Sequence, residues 1–206
     1  MINYQLFRDM WHTEGCFNIY QVYAICPQFN RSNFYQWTQK GYLVRLRQDW
    51  YAFGDMLKVP DFHRVVASKI YTPSYISLHS ALAFYGIIPE SVFRITSVTS
   101  NRTTSYKNAF GEYSYQSIKP NLLFGYEVKK SSDGHSFMLA QPEKAILDLL
   151  YLYPEYNSTE ALLDLRFDDE WMSEELNVTN LLEMSERAKI KSLEHRIKLL
   201  IEAYGL

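Results

Sequence analysis

Residues 18–53 decide the fold, and they read NIYQVYAICPQFNRSNFYQWTQKGYLVRLRQDWYAF. Asn18 can cap a helix, because its side chain can accept a hydrogen bond from a free N–H group in the first turn. The pattern predicts that this helix covers Ile19–Cys26. Pro27 ends it, since the proline ring clashes with a continuing helix.

A second helix is predicted over Arg31–Lys40, after a short turn. Asn30 or Ser32 can cap its start. Gly41 can close it in the left-handed conformation, which glycine adopts without steric cost. The segment therefore predicts two short helices around a tight turn.

A basic hairpin follows the second helix. Tyr42–Arg47 alternates like a strand, Gln48 and Asp49 supply a turn, and Trp50–Phe53 returns. Helix, turn, helix and hairpin is the plan of a winged helix-turn-helix, in which the hairpin is the wing. The first function that this order predicts is binding to duplex DNA.

The second helix has two different faces. At about 100° per residue, Phe34, Trp37 and Thr38 lie together and are expected to face the core. Polar residues point the other way, where glutamine can pair with adenine and lysine or arginine can bind guanine or phosphate. The residues of this outer face are Ser32, Gln36 and Gln39, flanked by Asn33, Tyr35 and Lys40.

The wing carries two arginines. Arg45 and Arg47 alternate with Val44 and Leu46, so both are expected to point to one side, toward the DNA backbone. Phosphate contacts of this kind raise affinity and make it fall with salt. The predicted DNA-contacting residues are Arg31, Ser32, Asn33, Tyr35, Gln36, Gln39, Lys40, Arg45 and Arg47.

The distribution of charge and a predicted linker divide the chain of 206 residues in two. Residues 1–60 carry six basic and four acidic side chains, a net of +2, and form the predicted DNA-binding domain. From Glu155 onward there are twelve acidic and six basic side chains, a net of −6. Leu57–Pro60 is interpreted as the start of a linker, and residues 61–206 as a second domain that begins with a connecting helix, Asp61–Ile70.

The second domain alternates helices and strands. A helix is predicted over Tyr75–Tyr85 with Ser74 as its cap, and a buried helix runs from Pro142 to about Tyr153. The predicted strands are Val92–Thr99, Thr104–Asn108, Glu112–Ile118, Leu123–Lys129 and His135–Ala140, and the last helices are Thr159–Phe167, Val178–Ala188 and Ser192–Tyr204. The expected fold class is α+β, with a winged helix-turn-helix followed by a mixed α/β domain that has a largely antiparallel sheet and C-terminal helices.

Composition limits where the protein acts. No apolar run approaches the roughly 20 residues that a bilayer span requires, so no membrane partner is expected. The N-terminus lacks the basic start and apolar stretch of a signal peptide. The two cysteines, Cys16 and Cys26, have neither metal nor redox spacing and suit a reducing compartment. The expected location is the cytoplasm.

Motifs for catalysis are absent from the sequence. It has no phosphate-binding loop, no nucleophile elbow and no dinucleotide fingerprint. The five histidines are scattered, without paired metal spacing. Glu143, Lys144 and Asp148 could form a nuclease-like site, but a solvent-facing polar edge or an ion pair is the favoured interpretation. The sequence therefore predicts no enzyme, no cofactor and no metal.

Several ordered blocks resemble the AbiE-type (AbiEi-like) antitoxins of bacterial type IV toxin–antitoxin systems. The longest are YISLHSALAFYGIIPE at 75–90 and AQPEKAILDLL at 140–150. The other blocks are Ile95–Thr99, Phe110–Tyr115, Ile118–Pro120, Phe124–Tyr126, Lys191–Arg196, Trp37–Leu43 and Trp50–Gly54.

The resemblance implies a function for each domain. The N-terminal domain is expected to repress its own operon by binding an inverted repeat in the double-stranded DNA upstream. The C-terminal domain is expected to counteract a nucleotidyltransferase toxin encoded beside it, without forming a stable complex. Two alternatives remain open: a protein-interaction module whose winged helix does not bind DNA, and a nuclease-like enzyme that uses Glu143, Lys144 and Asp148.

Overall fold

Two β-sheets with helices packed on them make up the part of the chain described by the computed structural model, residues 2–90 and 92–206. The first sheet has three strands and lies near the N-terminus, and the second has six. The predicted α+β class is therefore confirmed. None of the helices in these two ranges is both long and apolar enough to cross a membrane.

The N-terminal unit, residues 2–60, contains three α-helices, two short 3₁₀-helices and the three-stranded sheet. Its elements are α1 (Tyr4–Trp11), β1 (Cys16–Asn18), α2 (Ile19–Ile25), α3 (Ser32–Gln39), β2 (Leu43–Arg47) and β3 (Trp50–Phe53). The strand order is β1-β3-β2, and both neighbouring pairs are antiparallel. Strand β1 was not predicted, since three residues are too few to show an alternating pattern.

The predicted cap of α2 is present, and Asn30, two residues before α3, bonds to the first residue of that helix, although Arg31 holds the N-cap position and forms no side-chain cap. Asn18 Oδ1 accepts a hydrogen bond from the Tyr20 N–H at 2.9 Å, and Gln21 Oε1 accepts one from the Asn18 N–H at 2.8 Å. At α3, Asn30 Oδ1 accepts hydrogen bonds from the N–H and the hydroxyl of Ser32, at 3.0 and 2.8 Å. Gly41 follows α3 with φ +71°, as predicted. These caps satisfy N–H groups that a helix start leaves free.

Aromatic rings fill the core of the N-terminal unit. The ring centroid of Phe7 lies 5.3 Å from Phe17, 5.4 Å from Phe29 and 4.9 Å from Trp37. Phe29 belongs to the α2–α3 turn, and it also lies 4.8 Å from Phe34. Because aromatic pairs add about 0.5–1.5 kcal/mol each beyond area burial, they fix the turn between the two helices.

The rest of the chain is built on the six-stranded sheet. Its elements are α4 (Phe62–Ile70), β4 (Ser74–Ile76), α5 (Leu78–Phe84), β5 (Arg94–Thr99), β6 (Thr104–Asn108), β7 (Gly111–Ser117), β8 (Tyr126–Lys130), β9 (Ser136–Ala140), α6 (Pro142–Leu152), α7 (Thr159–Leu163), α8 (Asp169–Glu174), α9 (Val178–Ala188) and α10 (Lys191–Tyr204). The strand order is β6-β7-β5-β4-β9-β8. The pairs β5–β7 and β4–β9 are parallel and the other three are antiparallel, so the sheet is mixed.

The predicted helix Tyr75–Tyr85 is wrong in its first part. Ser74–Ile76 is a central strand, and α5 begins only at Leu78, with Ser77 in the N-cap position. Tyr75 and Ile76 are buried between β5 and β9, and sheet pairing there outweighs the helical spacing of the local sequence. Ser74 is therefore not a cap.

Other differences concern element ends. Strand β8 begins at Tyr126 and not at Leu123, because Pro120–Leu122 forms a turn of 3₁₀-helix. The helix predicted over Thr159–Phe167 ends at Leu163, and α8 was missed. The prediction of α9 is confirmed at both ends.

The segment interpreted as a linker is structured. Gly54–Lys58 forms a 3₁₀-helix, and α4 follows after Asp61. Phe62, at the start of α4, is fully buried, and α4 contacts β1 and β2 as well as β4 and β9. One cluster of buried side chains runs through both parts of the chain. The division at residue 60 remains a prediction.

Candidate nucleic-acid interface

The outer face of α3 is exposed along its length. Phe34 and Trp37 are buried, whereas Gln36 and Gln39 are exposed and Tyr35 is 69% exposed. Thr38 is half-buried, and its hydroxyl donates to the carbonyl of Phe34 at 2.7 Å. The predicted assignment of the two faces of this helix is therefore confirmed.

Some polar side chains on this face form hydrogen bonds within the protein, and others do not. Within residues 2–90 and 92–206, the side chains of Gln36 and Gln39 form no hydrogen bond with another protein group. The hydroxyl of Ser32 donates to Asn30, and Asn33 is half-buried. The two glutamine amides are therefore free to bind a base edge.

Arg31 and Asp49 join the start of α3 to the turn of the hairpin. Arg31 Nη2 lies 3.2 Å from Asp49 Oδ1, while the Arg31 side chain is 73% exposed. The carbonyl of Asp49 also accepts a hydrogen bond from the N–H of Ile19 at 2.9 Å. The hairpin turn is thereby held against the first residues of both α2 and α3.

The expectation that Arg45 and Arg47 point to the same side is wrong. A β-bulge lies between them, since Arg45 pairs with Tyr51 and Arg47 pairs with the next residue, Trp50. A bulge adds one residue to a strand and interrupts its alternation. Arg45 is exposed, whereas Arg47 is half-buried.

Arg47 is bound by residues of the six-stranded sheet and of the segment that follows α4. Its Nη1 donates to the hydroxyl of Tyr106 at 2.8 Å. Its guanidinium carbon lies 5.1 Å from the ring centroid of Tyr106 and 5.8 Å from that of Tyr71. Asn108 Nδ2 donates to the carbonyl of Leu46 at 3.2 Å, so the edge of β2 lies against β6. This contact was not predicted, because residue spacing places Tyr106 and Asn108 on one face of β6 but does not identify the surface that covers that face.

Glu143, Lys144 and Asp148 are buried, so the expectation of a solvent-facing edge is wrong, whereas that of an ion pair is confirmed. Lys144 and Asp148 are ion-paired, and both are fully buried. Asp148 Oδ2 accepts hydrogen bonds from the hydroxyls of Tyr75 at 3.0 Å and Ser77 at 2.8 Å. Burial lowers the pKa of Lys144 and raises that of Asp148. A nucleic-acid phosphate has no access to groups sealed in this way.

Glu143 has a different role from its two neighbours. Its carboxylate accepts hydrogen bonds from the N–H of Asn177 at 3.1 Å and from Nδ2 of Asn180 at 3.3 Å. Glu143 therefore ties α6 to the start of α9. Across residues 2–90 and 92–206, no three His, Cys, Asp or Glu side chains are grouped so as to hold a metal ion.

Two of the scattered histidines meet at one cavity of about 450 Å³, between the N-terminal unit and the β8–β9 turn. His12 Nε2 lies 2.9 Å from Asp55 Oδ2, and His135 Nδ1 lies 2.8 Å from Asp133 Oδ2. Arg8 is also paired with Asp55, at 2.6 Å. Each imidazole thus has a carboxylate partner on its own side of the cavity.

The candidate interface therefore consists of the outer face of α3 together with Arg31 and Arg45, and its polar groups are presented from an aromatic core. Arg47 was predicted to lie on this surface, but it contacts Tyr106 on β6. No protein-family model matches the chain, and no curated protein matches it either.

Proposed function

We propose that the chain is a transcriptional autorepressor that binds duplex DNA through a winged helix-turn-helix in its N-terminal unit. The order α1-β1-α2-α3-β2-β3 supports this, because α2 and α3 flank a tight turn and the hairpin follows directly. The main support for this proposal is the exposure of polar side chains on the outer face of α3. Gln36 and Gln39 project there without internal partners, while Phe34 and Trp37 anchor the helix from behind.

The proposed contacts divide by chemistry. Gln36 and Gln39 read base edges in the major groove, where glutamine matches the donor and acceptor pair of adenine. Phosphate contacts come from the groups around them, which position the helix but carry no sequence information. These groups are Arg31, Ser32, Asn33, Tyr35, Lys40 and Arg45.

We further propose that the chain is the antitoxin of a type IV toxin–antitoxin system and acts in the cytoplasm without catalysing a reaction. The support is the resemblance of residues 75–90 and 140–150 to the AbiE-type antitoxins. These two blocks meet in space, since Ser77 and Asp148 are hydrogen-bonded at 2.8 Å. The toxin opposed would be a nucleotidyltransferase, with no stable complex between the two proteins.

A gel-shift experiment with the DNA upstream of the chain's own gene tests the repressor role. We expect a shifted band at low salt that weakens as salt rises, because phosphate contacts release counterions. The double variant Gln36→Ala, Gln39→Ala should bind that DNA and a scrambled duplex equally. A wild-type protein that shifts no DNA at low salt would end the repressor proposal.

The antitoxin role is tested separately. The neighbouring gene should encode a nucleotidyltransferase that arrests growth when it is expressed alone. Coexpression of the full chain should restore growth, and the α3 double variant should restore it equally, because the antitoxin role is assigned to the C-terminal domain. Continued arrest in the presence of the wild-type chain would contradict this half of the proposal.

One observation favours a second candidate, a protein-interaction module with no DNA affinity. The hairpin that would serve as the wing is held by the C-terminal sheet through Arg47 and Tyr106. In that case, the exposed apolar side chains of the N-terminal unit, Tyr20 and Ile25 among them, would contact a protein. Capture of one defined protein by the wild-type chain, together with no shift of any duplex, would favour this candidate.

A further inference from the structure

A second cavity lies in the C-terminal domain, apart from the α3 face. It measures about 350 Å³ and is bounded by α4, β4, β8 and β9. This volume is near the lower end of the range of small-molecule sites, about 300–1,000 Å³. A cavity of this size suits a ligand of one or two rings.

The walls of this cavity are mainly apolar and aromatic. Tyr126 stacks on Tyr75, with ring centroids 4.6 Å apart and planes at 16°. Phe137, Met138 and Leu123 also line the cavity. Aromatic rings and a thioether sulfur both make favourable contacts with a flat aromatic ring.

The electrostatic character of the cavity is set by one residue. Lys69 is the one charged side chain among those that line it in the described part of the chain. Glu14, on the N-terminal unit, supplies the single carboxylate within 4 Å of Lys69 Nζ in residues 2–90 and 92–206, at 3.7 Å. Since this distance exceeds that of a charge-assisted hydrogen bond, about 2.7–2.9 Å, the ammonium group keeps donors for an anion.

A hydroxyl group on the cavity wall is without a partner. Ser74 is 8% exposed, and its Oγ forms no hydrogen bond within residues 2–90 and 92–206. This oxygen has almost no solvent-accessible surface, so an occupant of the cavity reaches it only after the Ser74 side chain rotates. Because a buried polar group without a partner costs stability, rotation toward an occupant that can bond to it is favoured. The neighbouring Ser68 differs, since its Oγ accepts a hydrogen bond from the N–H of Met138 at 2.9 Å.

We infer that this cavity binds a small aromatic carboxylate. The ring system lies against Tyr126 and Met138, the carboxylate is held by Lys69, and Ser74 supplies a hydrogen bond. Two larger cavities fit an anion less well: the one beside His12 includes Asp55 and Asp133, and another beside α5 includes Glu90 and Asp164. The inference goes beyond the proposed function and does not depend on it.

Isothermal titration calorimetry of the full chain with 2-naphthoate tests this site. We expect saturable binding to one site at millimolar or lower concentration, and about tenfold weaker binding of the neutral 2-naphthylmethanol, which cannot pair with Lys69. Lys69→Met should weaken 2-naphthoate about tenfold and leave the neutral alcohol unchanged. Ser74→Ala should weaken 2-naphthoate about threefold without lowering thermal stability, since the lost hydroxyl has no partner.

Lys130→Met is the matched control. It removes the same charge from an exposed position on β8, outside the cavity, and should leave the affinity for 2-naphthoate unchanged. The inference is overturned if the wild-type chain shows no saturable binding. It is equally overturned if Lys69→Met binds 2-naphthoate as tightly as the wild type, or if Lys130→Met weakens binding as much as Lys69→Met.

Discussion

Two helices, α3 and α6, carry polar side chains at helical spacing and use them in opposite ways. The glutamines of α3 are exposed and have no partner in the described residues, whereas Lys144 and Asp148 on α6 are fully buried and paired. A polar group without internal partners contributes little to folding, so its chemistry is available to another molecule. A buried pair is committed to the fold, because breaking it leaves a charge without solvation.

The largest expected effect tests the α6 side of this comparison. Asp148→Ala should lower the free energy of unfolding by about 3–5 kcal/mol, because Lys144 then remains buried without a counter-charge. Urea unfolding measures the loss. The double variant Lys144→Met, Asp148→Leu should recover part of the stability, since it removes both charges and keeps the volume but leaves the hydroxyls of Tyr75 and Ser77 without their acceptor. If Asp148→Ala lowered the free energy of unfolding no more than an ordinary surface substitution does, the claim that the ion pair is fully buried would be contradicted.

The next prediction separates Arg47 from Arg45. Arg47→Ala should lower the free energy of unfolding by about 1–3 kcal/mol, because it removes the hydrogen bond to Tyr106 and the contacts with two aromatic rings. Arg45→Ala is the matched control, since it removes the same type of side chain two residues away. Arg45 is exposed, and its Nε donates only a long hydrogen bond of 3.4 Å to the carbonyl of Arg47, so this variant should change stability little. Equal effects of the two variants on stability would contradict the role assigned to the bulge.

For the salt dependence of DNA binding, we expect the opposite order: Arg45→Ala should have the larger effect and Arg47→Ala the smaller. If Arg45 contacts a phosphate, Arg45→Ala should reduce the slope of log affinity against log salt by about 0.9. Arg47→Ala should leave this slope unchanged, because its guanidinium is bound to Tyr106. Fluorescence anisotropy with a labelled duplex at several salt concentrations measures both slopes. A loss of slope in Arg47→Ala alone would mean that the hairpin leaves β6 when DNA binds.

The smallest expected effect concerns Asp55. Burial alone would raise the pKa of this carboxyl, but hydrogen bonds from Arg8 and His12 hold it below the ordinary value. Because the pKa of Asp55 is lower in the folded chain than in the unfolded chain, its contribution to stability is present above the unfolded value, about 3.9. That contribution is lost as pH falls through the folded value. Thermal unfolding should show the difference between the wild type and Asp55→Asn shrinking at acid pH, and a difference that grows there would contradict it.

Local signals predicted the N-terminal unit well and long-range contacts poorly. Caps and breakers located α2 and α3, since Asn18, Pro27 and Gly41 act on their own turns. The helical spacing of residues 75–85 concealed strand β4, because the pairing that stabilises it comes from residues far along the chain, at Thr99 and Leu139. The same limit concealed the position of Arg47, because alternation cannot reveal a bulge, nor the contacts of Arg47 with Tyr106 on β6 and with Tyr71 just after α4.

The buried pair on α6 shows a similar limit. An ion pair was one of the interpretations left open for Glu143, Lys144 and Asp148, and the spacing of Lys144 and Asp148 along one helix allows it. Their burial depends on Tyr75 and Ser77, which lie some seventy residues earlier in the chain. Sequence spacing therefore allowed the pairing, whereas the burial of the pair depends on the tertiary structure.

The most direct measurement of the central proposal is the ratio of affinities for the upstream duplex and a scrambled duplex of equal length, determined by fluorescence anisotropy at one salt concentration. The wild-type chain should prefer the upstream duplex. Gln36→Ala, Gln39→Ala should bring the ratio close to one while binding to the scrambled duplex stays unchanged, because the amides read bases and the phosphate contacts remain. A ratio that the double variant leaves intact would contradict the assignment of the α3 outer face as the DNA-reading surface.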